Sequence, residues 1–491
     1  MRSSAIIAGA FAPAVLAAIQ AKNVIYIVPD GYGQASQTMA RDLATLVDHA
    51  GDVTRELAAD DMVRGLVRTW ATNNLITDSA ASGTAFACGF KSYNNAVGIT
   101  PDFQPVGSIL EAAKLAGMKT GLVVTSTINH ATPAVYASHV KHRNSYDEIA
   151  SQEIGYSHPL GPMVDILLGG GRCYFKPKSE SGSCRKDDKD LFGFAKSHGF
   201  HVMQNRSAFD ALEKGLGKIR LPYIGLFNDD GILDQMKYEL DRVLDGDEPS
   251  LLEMVETSLN SLHRATHCKK KGYFIMIEAS RIDHAGHAND PASHAHETIM
   301  YNKVMDYVRK WIDAHPDTIM MSAADHECGG LTLNGYRPLA LKDVTRSREH
   351  LETVWKNRPS GADSRQFLVS EILPPFGLAS ATDAEINTLL QASNLGNELV
   401  SLLSKKAGVN WSTGGHTASD INLHGYAAGE MGKELSLVLS GHHDNTELPR
   451  IVEKALGVDM DAVTKLLRAN GTNWVVKRDF DETHIVDEHN H

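Results

Sequence analysis

NVIYIVPDG, residues 23–31, is a β-branched apolar run that stops on a proline and an aspartate, Asp30. A run of this length without polar alternation reads as a strand buried on both faces. The same construction recurs three times. GLVVTSTINHAT (121–132) delivers His130 and Thr132, YFIMIEASRID (273–283) delivers Glu278 and Asp283, and DTIMMSAADH (317–326) delivers Asp325 and His326. Helical patterns lie between these runs. SILEAAKLAG (108–117) is one, and 292–314 is another, with Ile299, Met300, Val304, Tyr307, Val308 and Trp311 on one face. Alternating strand and helix predicts an α/β fold, a large, mostly parallel central sheet with helices on both faces. Ligands of such sheets sit beyond the carboxyl ends of the strands. Here those ends carry Asp, Glu and His, so residues hundreds of positions apart are predicted to meet at one edge.

The residue types at that edge suit bound cations. Asp283 and His287, in IDHAGHANDP (282–291), stand four apart, so one helical turn points both the same way. With His416, in STGGHTASD (412–420), they make an Asp-His-His set with a position left open, the arrangement of a catalytic zinc. Asp30, Asp325 and His326 can hold a second zinc, with Ser79 as its fourth ligand. A cation against that hydroxyl would lower its pKa and activate it without a histidine base. Glu278, Thr132 and the other oxygen of Asp30 are all oxygen donors, a set that suits Mg²⁺. Arg143, in HVKHRNS (139–145), has a planar fork that fits two phosphate oxygens. Ser79 itself opens a run of small residues in LITDSAASGTAFACGFKSYNNAVG (75–98). These are predicted to let a tetrahedral anion reach the unpaired N–H groups of a helix start.

The bulk properties are those of a globular enzyme of 491 residues. Its net charge of −12 argues against a sequence-independent nucleic-acid surface. Residues 1–21 read as a short secretory signal peptide, too short to span a bilayer comfortably. The competing reading, an N-terminal helix of the mature chain, is weakened by Pro13. The chain is therefore expected in a secreted or lumenal compartment, extracellular or vacuole-like, with no transmembrane span. Cys173 and Cys184 bracket a polar loop and form either a loop-closing disulfide or two unpaired surface thiols. Cys88 and Cys328 lie near candidate site residues and are assigned structural roles. Sequons stand at Asn205, Asn410 and Asn470, and mark a glycoprotein if the chain is secreted. Residues 345–406 are richer in charge and proline, without a strong apolar strand, and read as an insertion. Residues 481–491 are a polar tail. His294, His296, His442, His443, His489 and His491 match no ligand position.

VPDGYG, TDSAASGTAFACG, HATPAVYASHVKHR, EASRIDHAGHAND, ADHECGG and GGHTASD together resemble the alkaline phosphatases, from Asp30 to Asp420. The resemblance implies one catalytic domain over 22–480, with 345–406 in the place of the family's crown subdomain at the dimer interface. It further implies a homodimer, two zinc ions and one magnesium per subunit, and hydrolysis of phosphate monoesters by two in-line displacements through a phosphoserine. Ser79 matches the nucleophile and Arg143 the phosphate clamp. Asp283, His287 and His416 match the first zinc site, Asp30, Asp325 and His326 the second, and Asp30, Thr132 and Glu278 the magnesium site. His130 and His284 stand where some bacterial members carry Asp and Lys, which places the chain with the eukaryotic branch in its outer shell. Among rivals, a sulfatase needs x-Pro-x-Arg after its nucleophile, whereas Ala-Ala-Ser-Gly follows Ser79. A phosphodiesterase of the same superfamily is disfavoured by Arg143, which suits a dianionic terminus. An inactive phosphate- or metal-binding protein predicts a broken ligand set, and none is broken here.

Overall fold

A computed structural model describes residues 19–48, 56–228, 235–469 and 471–475. Most of the signal-peptide segment, the polar tail and Asn470 lie outside the described residues. The strands are β1 (Asn23–Val28), β2 (Val63–Arg68), β3 (Lys119–Thr127), β4 (Ile166–Gly170), β5 (His201–Met203), β6 (Tyr223–Leu226), β7 (Tyr273–Glu278), β8 (Thr318–Ala323), β9 (Glu327–Cys328), β10 (Leu331–Leu333), β11 (Val409–Trp411), β12 (His416–Thr417), β13 (Ile421–Ala427) and β14 (Gly441–Asp444). Ten of them form one sheet in the order β14-β2-β13-β8-β1-β7-β3-β4-β6-β5. All neighbours run parallel except β13, which is antiparallel to both β2 and β8. The remaining four make two short ribbons, β10 with β11 and β9 with β12.

The four strands singled out by their acidic or imidazole ends are adjacent: β8, β1, β7 and β3. Every residue of β1, β7 and β8 is buried, as continuous apolar runs require. Their register sets the level of the edge, because Val28 pairs with Glu278 and Glu278 pairs with Val124. Asp30 therefore emerges from the central strand with Glu278 on one side and Asp325 on the other. Two groups of helices cover the sheet. Leu251–Thr266 and Pro291–Ala314 form one, and Ser79–Cys88, Ile109–Leu115 and Glu447–Leu456 form the other. Among the described residues no helix is long and apolar enough to cross a membrane.

Residues 345–406 are helical, with Arg348–Lys356, Asp383–Gln391 and Leu395–Ala407 as the main elements. Their apolar side chains make a cluster of their own around Leu351, Leu368 and Leu403, which Met39, Leu43 and Ala292 seal to the body. Cys173 and Cys184 are joined in a disulfide, closing the polar loop between them. Asn205 and Asn410 are exposed.

Beneath the segment that carries Thr132 and Arg143 lies a buried polar network. Glu111 Oε1 accepts from His139 Nε2 at 3.0 Å and from His158 Nε2 at 2.8 Å, and Glu111 Oε2 accepts from the Ser108 amide at 2.7 Å. His139 Nδ1 faces the Gly98 carbonyl at 2.7 Å. Both nitrogens of His139 thus face acceptors. His158 instead accepts from the Leu160 amide through Nδ1 and is the neutral Nε2–H tautomer. The three side chains could hold a metal by proximity alone. With every ring nitrogen already engaged, they are a satisfied hydrogen-bond network instead. Burial pushes the Glu111 carboxyl up, but His139 and His158 more than offset it and hold it well below the usual range. A carboxyl depressed in the folded state contributes stability that is fully present above its unfolded pKa, about 4.5, and is lost as pH falls below that value. Glu111→Gln, which breaks a buried pair, is expected to cost about 3–5 kcal/mol near neutral pH. It should also flatten the acid limb of Tm against pH, measured by calorimetry on both proteins.

Candidate active site

Ser79 opens the helix Ser79–Cys88, whose ten residues are all buried. Asp78 is the N-cap, and its Oδ1 accepts from the Ala81 amide at 2.9 Å. Its Oδ2 accepts from the Asn95 amide at 2.9 Å and from Arg143 Nη1 at 3.0 Å. One carboxylate therefore caps the serine's helix and fixes the guanidinium beside it. The small residues after Ser79 serve packing more than access. A Cβ on Gly83 would lie 3.0 Å from Val135 Cγ2, on the segment that follows Thr132. Ser82 Oγ donates to the Asp325 carbonyl at 2.8 Å, tying the helix to the end of β8. The predicted open approach for an anion is thus confined to the first turn, where amides lack intrahelical partners.

His287 Nε2, His416 Nε2 and Asp283 face one point. The two imidazole nitrogens are 3.2 Å apart, His287 lies 3.3 Å from Asp283 Oδ2, and His416 lies 3.5 Å from Asp283 Oδ1. The other nitrogens are committed, His287 Nδ1 to the Gly414 carbonyl at 2.6 Å and His416 Nδ1 to the Thr77 carbonyl at 2.9 Å. Carbonyls only accept, so both Nδ1 atoms carry hydrogen and both Nε2 lone pairs converge. Such a convergence needs a shared proton or a cation. Tetrahedral zinc with bonds near 2.0 Å spaces its ligands about 3.3 Å apart, the spacing seen here. Burial lowers the pKa of His416 to about 4, with His326 adding to the effect. It opposes His287 as well, but Asp283 raises that ring above its ordinary value. The Cys328 sulfur also falls within this group, and burial pushes its thiol well up.

The second cluster contains Asp30, Asp325 and His326. His326 Nε2 is 3.0 Å from Asp325 Oδ2, 3.8 Å from Asp30 Oδ1 and 3.1 Å from Ser79 Oγ. Asp30 Oδ1, Asp325 Oδ2 and His326 Nδ1 are buried without a hydrogen-bond partner. Burial, then the charges of Asp325, Asp283 and Glu278, push the Asp30 carboxyl well up. Burial opposes ionisation of Asp325 too, but His326 more than offsets it, to about 2.

Thr132 Oγ1 donates to Asp30 Oδ2 at 3.3 Å, and Glu278 Oε1 is buried and unpartnered. Burial raises Glu278 to about 7. His130 joins Asp30 and Glu278 within ligating reach, nearer than the outer place that the family resemblance implies for it. His130 Nε2 accepts from Arg143 Nη2 at 3.3 Å, and burial, then Arg143, lower its pKa to about 3. His284 stands edge-on to His130, and burial, then Arg281, lower its pKa well below the ordinary value. All the candidate residues thus gather at one edge. Asp78, Ser82 and Cys328 join them; Asp78 stands beside Ser79 and Cys328 two residues after His326, the positions that could mark them in advance, while nothing in the sequence marks Ser82. His294 is buried against Ser36, away from the clusters, while His442 and His443 pair with Asp420 and Glu447.

A buried edge with this many anionic and imidazole donors around one serine and one arginine is that of a metal-dependent phosphoric monoester hydrolase. The chain belongs to the alkaline phosphatase family, whose model, described as "Alkaline phosphatase", matches residues 21–458. The chain is 38% identical over 503 aligned residues to the repressible alkaline phosphatase of Saccharomyces cerevisiae, covering 96% of this chain and 87% of that one. It is also 38% identical to an alkaline phosphatase of Schizosaccharomyces pombe, over 91% of this chain and 83% of that one. Among solved structures, the alkaline phosphatase of Thermus thermophilus superposes with a TM-score of 0.75 at 27% identity, covering 92% and 96% of the two chains. The protein is thus an alkaline phosphatase, and the family typically binds zinc and magnesium.

Gly31 makes the close approach of the first two clusters possible. Its φ is +71°, and a Cβ there would lie 2.6 Å from Asp283 Cα. Gly31→Ala must therefore move Asp30 and Asp283 apart, besides straining the backbone by roughly 1–2 kcal/mol. The variant is expected to retain less metal after dialysis and to melt lower than the parent. Metal analysis and calorimetry check this.

Proposed function

We propose that Ser79 is the nucleophile and Arg143 the phosphate clamp, and that the three clusters hold two zinc ions and one magnesium. Asp283, His287 and His416 would hold one zinc. Asp30, Asp325 and His326 would hold the other, and Asp30, Thr132 and Glu278 the magnesium, with His130 at its edge. The observation that carries this reading is the convergence of Nε2 lone pairs and orphaned carboxylate oxygens in a buried volume. Uncompensated, those groups would be costly there. When bound, the cations would supply Lewis-acid stabilisation of oxygen charge and lower the pKa of neighbouring hydroxyls.

The chain's own residues do the rest. Ser79 Oγ attacks phosphorus, and the ester oxygen departs on the opposite side, toward His287 and His416. A phosphoserine results, and water cleaves it from the vacated side, freeing phosphate and restoring the serine. Arg143 donates to equatorial oxygens, its orientation fixed by Asp78 and its other amino group resting on neutral His130. The amides of the first turn of the helix Ser79–Cys88 add further donors. Both displacements need a deprotonated oxygen, so activity rises toward alkaline pH.

The catalytic domain would span 22–480 with 345–406 inserted, and the subunits would pair as homodimers, as the resemblance implies. The Cys173–Cys184 disulfide supports a secreted or lumenal, oxidising compartment.

Ser79→Ala, refolded with Zn²⁺ and Mg²⁺, is expected to lose on the order of 10³-fold or more of its monoesterase turnover. It should form no phosphoprotein in an acid quench with labelled substrate. Full turnover in that variant would sink the assignment. Replacing neutral His130 by aspartate adds a negative charge beside Asp30 and Glu278. His130→Asp should therefore lower the Mg²⁺ concentration for half-saturation on the order of tenfold, followed as a thermal shift of the metal-stripped protein. Equal affinity in the two proteins would count against the third site.

A further inference from the structure

Next to the first cluster is a cavity of about 420 Å³ whose lining includes His287, Tyr146, Arg281, Arg348, Glu349 and Glu352. It lies between the short helix Arg281–His287 and the helix Arg348–Lys356 of the inserted region. Three bonds hold these two walls together. Arg281 Nη2 donates to Glu349 Oε2 at 2.7 Å, Arg348 Nη1 donates to the Ala288 carbonyl at 3.0 Å, and the Arg348 amide donates to Asp290 Oδ2 at 3.1 Å. The inserted region, expected at a subunit interface, thus also walls the site.

Arg281 is unusual in this wall. Its side chain is 2% exposed and stacks on the Tyr238 ring at 3.8 Å, yet its Nε is buried without an acceptor. A guanidinium donor at that depth is costly to leave unpaired. Glu349 spends one oxygen on Arg281, while its side chain remains 37% exposed at the cavity. Arg348 Nε is engaged by Glu352 at 2.9 Å. The cavity therefore offers fixed donors and acceptors side by side with little net charge, flanked by the Tyr146 ring. An anionic leaving group would meet Glu349 and Glu352, and a cationic one would meet Arg281 and Arg348. A neutral alcohol with several hydroxyls meets neither penalty. Adjacent hydroxyls can accept from a guanidinium and donate to a carboxylate at once, while the C–H face of a ring packs on tyrosine.

We propose that this cavity is the leaving-group site and that it selects monoesters of neutral polyhydroxylated alcohols, with Arg281 and Glu349 as the pair that reads neighbouring hydroxyls. The proposal rests on the reading above, in which the ester oxygen departs toward His287. It leaves phosphate recognition to Arg143 and places alcohol specificity on the inserted helix.

The test compares glucose 6-phosphate with cyclohexylmethyl phosphate, primary esters of similar ring size that differ in their hydroxyls. The holoenzyme is expected to favour the sugar ester in kcat/KM by about ten- to hundredfold. Glu349→Gln, a half-exposed change that should fold, and Arg281→Lys are each expected to reduce that preference about tenfold or more, chiefly through KM for the sugar ester. A fold defect alone would lower both substrates together and leave the ratio in place. Equal kcat/KM for the two esters in the parent, or a preference that survives both substitutions, overturns the proposal while leaving monoester hydrolysis intact. Failure of the parent to hydrolyse either ester would instead overturn the assignment of the catalytic edge, and this proposal with it.

Discussion

Four carboxylates, Asp30, Glu278, Asp283 and Asp325, are buried at the end of one sheet, and the structure is organised around keeping them together. The guanidinium of Arg143 interacts with Asp30, but Asp78 already pairs with it at 3.0 Å. The consequence is visible in the titration of the edge. Asp30 and Glu278 are pushed toward their neutral forms, while Asp283 and Asp325 stay ionised only by drawing on His287 and His326. Protons thus stand where cations would stand, and a divalent ion displaces them on binding. The rigid parallel sheet supplies the other half of the constraint. Ligands emerging from adjacent, fully buried strands cannot relax away from one another.

Much of this was legible in the sequence. Each central strand is a continuous apolar run that stops on an acidic or imidazole residue, and the fold class brings those ends to one edge, whereas the adjacency of the four strands is a finding of the structure. The i, i+4 spacing of Asp283 and His287 needed only a helical turn, which Arg281–His287 provides. What the sequence did not disclose depends on contacts across three dimensions. Ser82 meets the Asp325 carbonyl from 243 positions away, and Cys328 reaches the first cluster only because β9 pairs with β12, where Cys328 lies opposite His416. The Glu111–His139–His158 network is equally hidden. Each member alone looks like a surface residue, and the network is evident only from the contacts among them. The small residues after Ser79 were legible as a demand for closeness, but the partner they admit is Val135 as much as any anion.

The helix that Ser79 opens shows how one side chain can organise several others. Asp78 caps it, holds the Asn95 amide and orients Arg143, so serine and guanidinium share a single anchor. A guanidinium positioned from the serine's own cap moves with the serine, which preserves their geometry against small shifts of either loop. This favours preorganisation, since donors aimed in advance at the transferring group need no rearrangement during reaction.

The two histidines of the outer shell complete the electrostatic picture. His130 and His284 are held neutral far below the working pH by burial and by the arginines beside them. Neither contributes a permanent charge near the phosphate. His130 can accept from Arg143 without competing for its charge, so it adds no second carboxylate to the pairing with Asp78. A carboxylate in the same position would tie Arg143 down while strengthening a cation at Asp30 and Glu278. Under the proposed assignment, the imidazole would trade tight binding of a cation at Asp30 and Glu278 for a freer Arg143.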